Sequence, residues 1–169
     1  MKGTCGVTMD TNGSNNGFFV RQGIFIASAA LQKYSLFGGL SDEQIERLLP
    51  YLEYSAFPAG AIIMHEGVYN DRVYFILEGT VEVRENNVEL IEMHTGDSFG
   101  EMELIEIIPV VATIKALDDV VTLSLSNKKL HELYKNDIAA FAMIIMNLAR
   151  ELSRRLRRMN TIVVGEHAE

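Results

Sequence analysis

The stretch Ser98-Phe99-Gly100-Glu101-Met102-Glu103-Leu104-Ile105-Glu106-Ile107-Ile108-Pro109-Val110-Val111-Ala112-Thr113-Ile114 holds the residues whose types and spacing could do chemistry. That chemistry is the reception of an anion. Gly100 frees the backbone for a tight approach to a short helix. A helix of one turn leaves several amide N–H groups pointing forward without partners, and such a cluster can receive a negative charge. Pro109 ends the apolar turn, having no N–H and disfavouring helix just before it. The β-branched run that follows reads as strand. Other chemistry is not apparent. There is no GxSxG, no Walker loop and no pair of histidines at catalytic spacing, so no enzyme is expected. Asp97 and Glu101 are close in sequence, but nothing points to a shared proton. His65, His94, His131 and His167 are dispersed without metal-ligand spacing.

The stretch resembles the phosphate-binding cassette of the cyclic nucleotide-binding domain family. The likeness lies in Phe99-Gly100-Glu101, the apolar turn, Pro109 and Ala112-Thr113-Ile114. It extends to Pro58-Ala59-Gly60, Glu66-Gly67, Tyr74-Phe75-Ile76-Leu77-Glu78-Gly79 and Gly96-Asp97-Ser98, and covers Leu36 to Met159. The resemblance implies a ligand site built from Phe99, Gly100, Glu101, Met102, Val110, Val111, Ala112 and Thr113. It also implies that Glu101 takes the ribose 2′-hydroxyl; the plainer expectation is that Glu101 caps local amides.

Two positions depart from the family. Its phosphate-pairing arginine is replaced by Val110, and a small residue facing the phosphate is replaced by Glu103. Losing a charged hydrogen bond costs about 1.5–3 kcal/mol, roughly 10–100-fold in affinity. Glu103 is therefore expected to oppose phosphate, and Val110 to pack into the barrel mouth. Lys115 alternates onto the opposite face of its strand and is no substitute. Arg150 or Arg154 could lean over the pocket, or stay exposed beside a dimer seam. The expectation is a regulatory module with weak or lost cAMP and cGMP binding, acting as a dimer through a partner or another ligand. Its alternatives are a working cyclic-nucleotide sensor and a structural adaptor with no ligand.

The elements that must position this site follow from pattern. Residues 1–35 read as an extension, flexible through Gly17 and then helical over Phe18 to Tyr34. Residues 36–135 read as an antiparallel β-roll or jelly-roll barrel of about eight strands with flanking helices, so the fold is mainly β. Ser41 with Gln44 opens a helix by a capping box, and Ser126 and Asp137 cap two more. Residues 136–163 read as a dimerisation helix with a seam of Ile145, Leu148, Leu152, Leu156 and Met159. Arg155 is placed near that seam, where it could set register. Residues 164–169 are a tail.

Composition narrows the class. The chain has 169 residues, 48% of them hydrophobic, and a formal charge of −8, which disfavours nucleic acid as the main partner. The charge is uneven: residues 1–40 carry +2, 41–137 carry −12 and 138–169 carry +2. The last five arginines fall between Arg150 and Arg158. That cluster could face an acidic partner, or be a solvated helix end. Asn160 to Glu169 is too short for a helix-turn-helix, so DNA reading is not expected. No run is long enough to span a bilayer. One cysteine, Cys5, fits a cytoplasmic, reducing compartment.

Overall fold

The computed structural model describes the backbone of residues 5–9, 15–21, 24–27, 31–86, 88–106 and 108–166, and the side chains of 31–86, 88–102, 105–106 and 108–158. Eight strands form two four-stranded antiparallel sheets. One has the order β5 (Ile62–Met64), β10 (Thr113–Ala116), β7 (Thr80–Glu85), β8 (Val88–His94). The other has β4 (Glu53–Phe57), β11 (Val120–Ser126), β6 (Arg72–Glu78), β9 (Ser98–Phe99). This is the expected β-roll.

The central strand β6 explains the packing. Its alternate residues Val73, Phe75 and Leu77 join a cluster with Phe37, Ile45, Leu48, Leu125, Leu133, Ile144 and Leu148. Ile76 points the other way, among Val81, Met93, Phe99, Val110 and Ile114 between the sheets. A strand covered on both faces reads as a continuous apolar run rather than an alternation.

Among the described residues, four α-helices flank the roll: α1 (Asp42–Leu48), α2 (Glu101–Glu106), α3 (Asn127–Asn136) and α4 (Ile138–Glu166). The capping box of Ser41 and Gln44 is present, and Ser126 accepts from the Lys129 amide. Asp137 Oδ1 accepts from the Ala140 amide at 2.9 Å. The backbone of α4 continues to Glu166, past the expected end at residue 163; residues 167–169 lie outside the described residues.

The extension differs from expectation. Asn15–Arg21 and Ile24–Ala27 are strands β2 and β3, and Cys5–Met9 is β1, forming an antiparallel sheet in the order β1-β2-β3. Helical spacing of Ile24, Ala27 and Leu31 had favoured a helix. The local run Phe18-Phe19-Val20 and Ile24-Phe25-Ile26 is aromatic and β-branched, and that preference prevails. Residues 1–4 and 10–14, part of the segment expected to be flexible, lie outside the described residues.

Helix α4 is tied to the segment before α1 by Asn147, which is 3% exposed. Its Nδ2 donates to the carbonyls of Leu36 at 2.7 Å and Gly38 at 2.8 Å. Asn147→Leu keeps the volume but strips both carbonyls of their donor. It should destabilise the fold by about 2–4 kcal/mol, since each buried unsatisfied group costs ~1–3 kcal/mol; urea unfolding gives the check.

Candidate ligand-binding site

Strand β9 pairs with β6 through Tyr74 opposite Phe99, and the two rings stack at 5.0 Å. The chain then turns at Gly100, whose φ is +82°. A Cβ there would lie 2.7 Å from the Arg72 carbonyl oxygen and 2.9 Å from Asn70 Nδ2, so glycine is demanded by both conformation and space. Helix α2 follows. Beyond it, Pro109 bridges to Tyr69, the Gly67 amide donates to the Val110 carbonyl at 2.8 Å, and the Val110 amide donates to Val68 at 2.9 Å. The cassette is thus strapped at both ends to the sheet that carries β6 and to the loop before it.

These elements enclose a cavity of about 90 Å³ lined chiefly by Met64, Met93, Phe99, Glu101, Ala112 and Arg155. Gly100, Met102 and Val111 also contribute to it. Small-molecule sites usually measure roughly 300–1,000 Å³, so the site stands closed in this conformation.

Arg155 closes it. Its Nη1 donates to Glu101 Oε1 at 2.6 Å, and its Nη2 donates to the Ser98 carbonyl. Glu101 is only 2% exposed. A buried carboxylate needs a charged, hydrogen-bonded partner to remain ionised at tolerable cost. Here that partner comes from 54 residues away in sequence. Sequence reasoning had placed Arg155 at the seam instead. The missed signal is its phase on the helix: Ile144, Leu148, Glu151 and Arg155 follow each other at steps of four, three and four, and the first three are buried. The arginines named as candidates do other work. Arg150 Nη1 donates to Asn147 Oδ1 at 2.8 Å, and Arg154 pairs with Glu151. Lys115 Nζ lies 3.2 Å from Glu82 Oε1, away from the cassette as expected.

Val110 is 3% exposed and packs in the core between the sheets. Among the expected ligand residues it does not line the cassette cavity but a neighbouring groove of about 480 Å³, with Tyr69, Arg72 and Tyr74. In that groove burial pushes the Tyr74 hydroxyl up, and the Arg72 guanidinium partly offsets it. Arg72 is itself held above its usual range: burial works against the charge, but hydrogen bonds to Asp71 and Glu53 outweigh it. Thr113 is also turned from the cavity, its Oγ1 accepting from the Glu66 amide at 3.2 Å. The side chain of Glu103 lies outside the described residues. No group of three or more potential metal ligands occurs among the described residues.

On α4, Leu148 is 3% exposed and belongs to the protomer core, which removes it from the expected seam. The exposed apolar residues of the helix lie one face over. Ile138, Ala142, Ile145, Ala149, Leu152 and Leu156 recur at steps of four and three; all are exposed except the half-buried Leu152. The Met159 side chain is outside the described residues.

Comparison with known proteins agrees with this geometry. The family model "Cyclic nucleotide-binding domain" matches residues 55–137. A cyclic nucleotide-gated potassium channel of Mesorhizobium japonicum is 37% identical over 112 residues, covering 64% of this chain and 31% of the channel. A CRP-like cAMP-activated global transcriptional regulator of Mycobacterium tuberculosis is 30% identical over 137 residues, covering 77% of this chain and 58% of the regulator. The chain therefore spans less than two thirds of the length of these curated relatives. The crystal structure of a cyclic nucleotide-binding domain from Methylobacillus flagellatus superposes with a TM-score of 0.74 at 25% identity, over 82% of this chain and 80% of that one. The regulatory subunit of a cAMP-independent protein kinase A from Trypanosoma brucei gives 0.62 at 26% identity, over 72% and 43%. A triple mutant of that subunit is described as bound to cAMP in its A site; a glutamate becomes alanine, and seven and eight residues later a threonine becomes arginine and a valine becomes alanine.

Proposed function

Residues 55–137 are a cyclic nucleotide-binding domain, and from that premise we propose that this chain is a regulatory module that binds cAMP and cGMP weakly or not at all. It acts as a dimer, through a protein partner or a different ligand, and not as an enzyme. The observation that carries the reading is the residue pattern of the cassette: a glutamate at 103, and no arginine seven residues later, where Val110 stands. The same pattern supports it from outside. Glu103, Val110 and Val111 have the spacing of the three positions changed in the cAMP-bound Trypanosoma brucei mutant. A cyclic phosphate seated here would lack its guanidinium partner and meet an added carboxylate.

Isothermal calorimetry of the wild-type protein tests this. The expected result is no binding of either nucleotide in the low-micromolar range; tight binding would overturn the proposal. A second reading, a working cyclic-nucleotide sensor, is favoured by one observation: Arg155 brings a cation to the cassette cavity by another route. It predicts a clear rise in melting temperature with nucleotide, because a ligand that binds only the folded state stabilises it. The third reading, an adaptor without a ligand, draws on the small size of the cavity. A cytoplasmic location belongs to the same proposal. No helix among the described residues is long and apolar enough to cross a membrane.

A further inference from the structure

We propose that the groove beside the cassette docks a basic side chain, arginine or lysine, presented by a partner protein. This gives the proposed action through a protein partner a surface, and it rests on that reading. The groove measures about 480 Å³, within the range of sites that enclose a guest. Its apolar lining includes Met64, Val68 and Val110, and the methylene stem of a long basic side chain can lie along such a wall. Tyr69 lines the groove as well and is 72% exposed. Among the described residues, no other ring and no cation packs on the Tyr69 ring. The loop that carries it is nonetheless held in place. The Val68 amide donates to the His65 carbonyl at 3.2 Å, the Val68 carbonyl accepts from the Val110 amide at 2.9 Å, and Tyr69 bridges to Pro109. A ring on a fixed loop loses little freedom when it is engaged, and its face attracts a cation. The polar end of the groove selects the same sign. Arg72 Nε donates to Asp71 Oδ1 at 3.1 Å and Arg72 Nη1 to Glu53 Oε2 at 2.9 Å. One cation held by two carboxylates leaves a surplus negative charge there, and residues 41–137 as a whole carry −12. That balance disfavours an anionic guest and favours a cationic one.

Amide NMR titration of the full chain with the capped tripeptides Ala-Arg-Ala, Ala-Lys-Ala and Ala-Leu-Ala tests this. The arginine or the lysine peptide should give saturable shifts at the amides of Val68 to Arg72 and of Tyr74, and the leucine peptide at the same concentration should not. Tyr69→Ala should weaken binding of the basic peptide about 2–30-fold, the range of a cation over an aromatic face. Tyr69→Phe, which keeps the ring, should bind like wild type. Asp71→Asn should weaken it about 2–5-fold, as for an exposed charge pair, and the loss should shrink in high salt. Glu89→Gln, on an exposed strand away from the groove, should change nothing. No saturable shift at the groove with either basic peptide overturns the proposal. So does equal response to the leucine peptide, or unchanged binding in Tyr69→Ala. Should Tyr69→Ala unfold, Asp71→Asn decides by the same criterion. The titration needs no nucleotide. Low-micromolar cAMP binding would sink the proposed loss of nucleotide binding, while the peptides would still judge the groove.

Discussion

Glu103→Ala, Val110→Arg and Val111→Ala together should raise the affinity for cAMP by about 10–100-fold over wild type. The arginine supplies a charged, bidentate hydrogen-bonding partner for the cyclic phosphate, and that interaction accounts for the range. Removing the carboxylate at 103 takes away a like charge on the same small helix. Shortening Val111, which lines the cavity, gives the sugar room. The three changes should be strongly non-additive, because each acts on one shared anion. Val110→Arg alone should gain little, since Glu103 would compete with the phosphate for the new guanidinium.

A structural cost accompanies this gain. Val110 is 3% exposed and sits among Met64, Phe99 and Ile114. An arginine there must turn its head out of the apolar core towards the cavity, and without ligand it is poorly paired. The triple variant should therefore melt below wild type when empty and recover on adding cAMP. Calorimetry and thermal melts with and without nucleotide measure both effects. No gain in affinity at millimolar cAMP would show that the charge pattern of the cassette is not what limits binding.

Much of this was legible in the sequence, for identifiable reasons. Gly79, Gly96 and Gly100 all have φ near +90°, and they fix strand ends wherever they occur. The order of the roll could therefore be read from glycines and the apolar runs between them. Helix starts were legible because Ser41, Ser126 and Asp137 make their capping bonds locally. What failed needed knowledge of a distant partner. A purely apolar periodicity on α4 included Leu148 in the seam and excluded Arg155 from the buried face. The covered stripe in fact contains the buried Asn147 and Glu151 and the partly buried Arg155, whose partners lie at Leu36, Ser35 and Glu101. Polar residues matched across more than fifty positions leave no mark in hydrophobic spacing. In the extension, helical spacing competed with local β-propensity, and spacing lost.

The corrected stripe changes what is expected of the dimer. Ile138, Ala142, Ile145, Ala149, Leu152 and Leu156 keep an unbroken heptad phase, where the earlier set through Leu148 had an irregular step. Two copies joined along this stripe should scatter light as twice the 18.9 kDa chain mass. Leu152→Asp places two like charges face to face across a two-fold seam and should give monomers. Leu152 is half-buried within its own protomer, however, so that variant could also unsettle the fold. Leu156 is 60% exposed, and Leu156→Asp isolates the seam. It should lower the association constant by at least about tenfold, given the ~1.5–3 kcal/mol for burying such a side chain and the further cost of a buried charge. Urea stability at low protein concentration should stay near that of wild type. A wild-type protein that remains monomeric at high concentration would refute the seam.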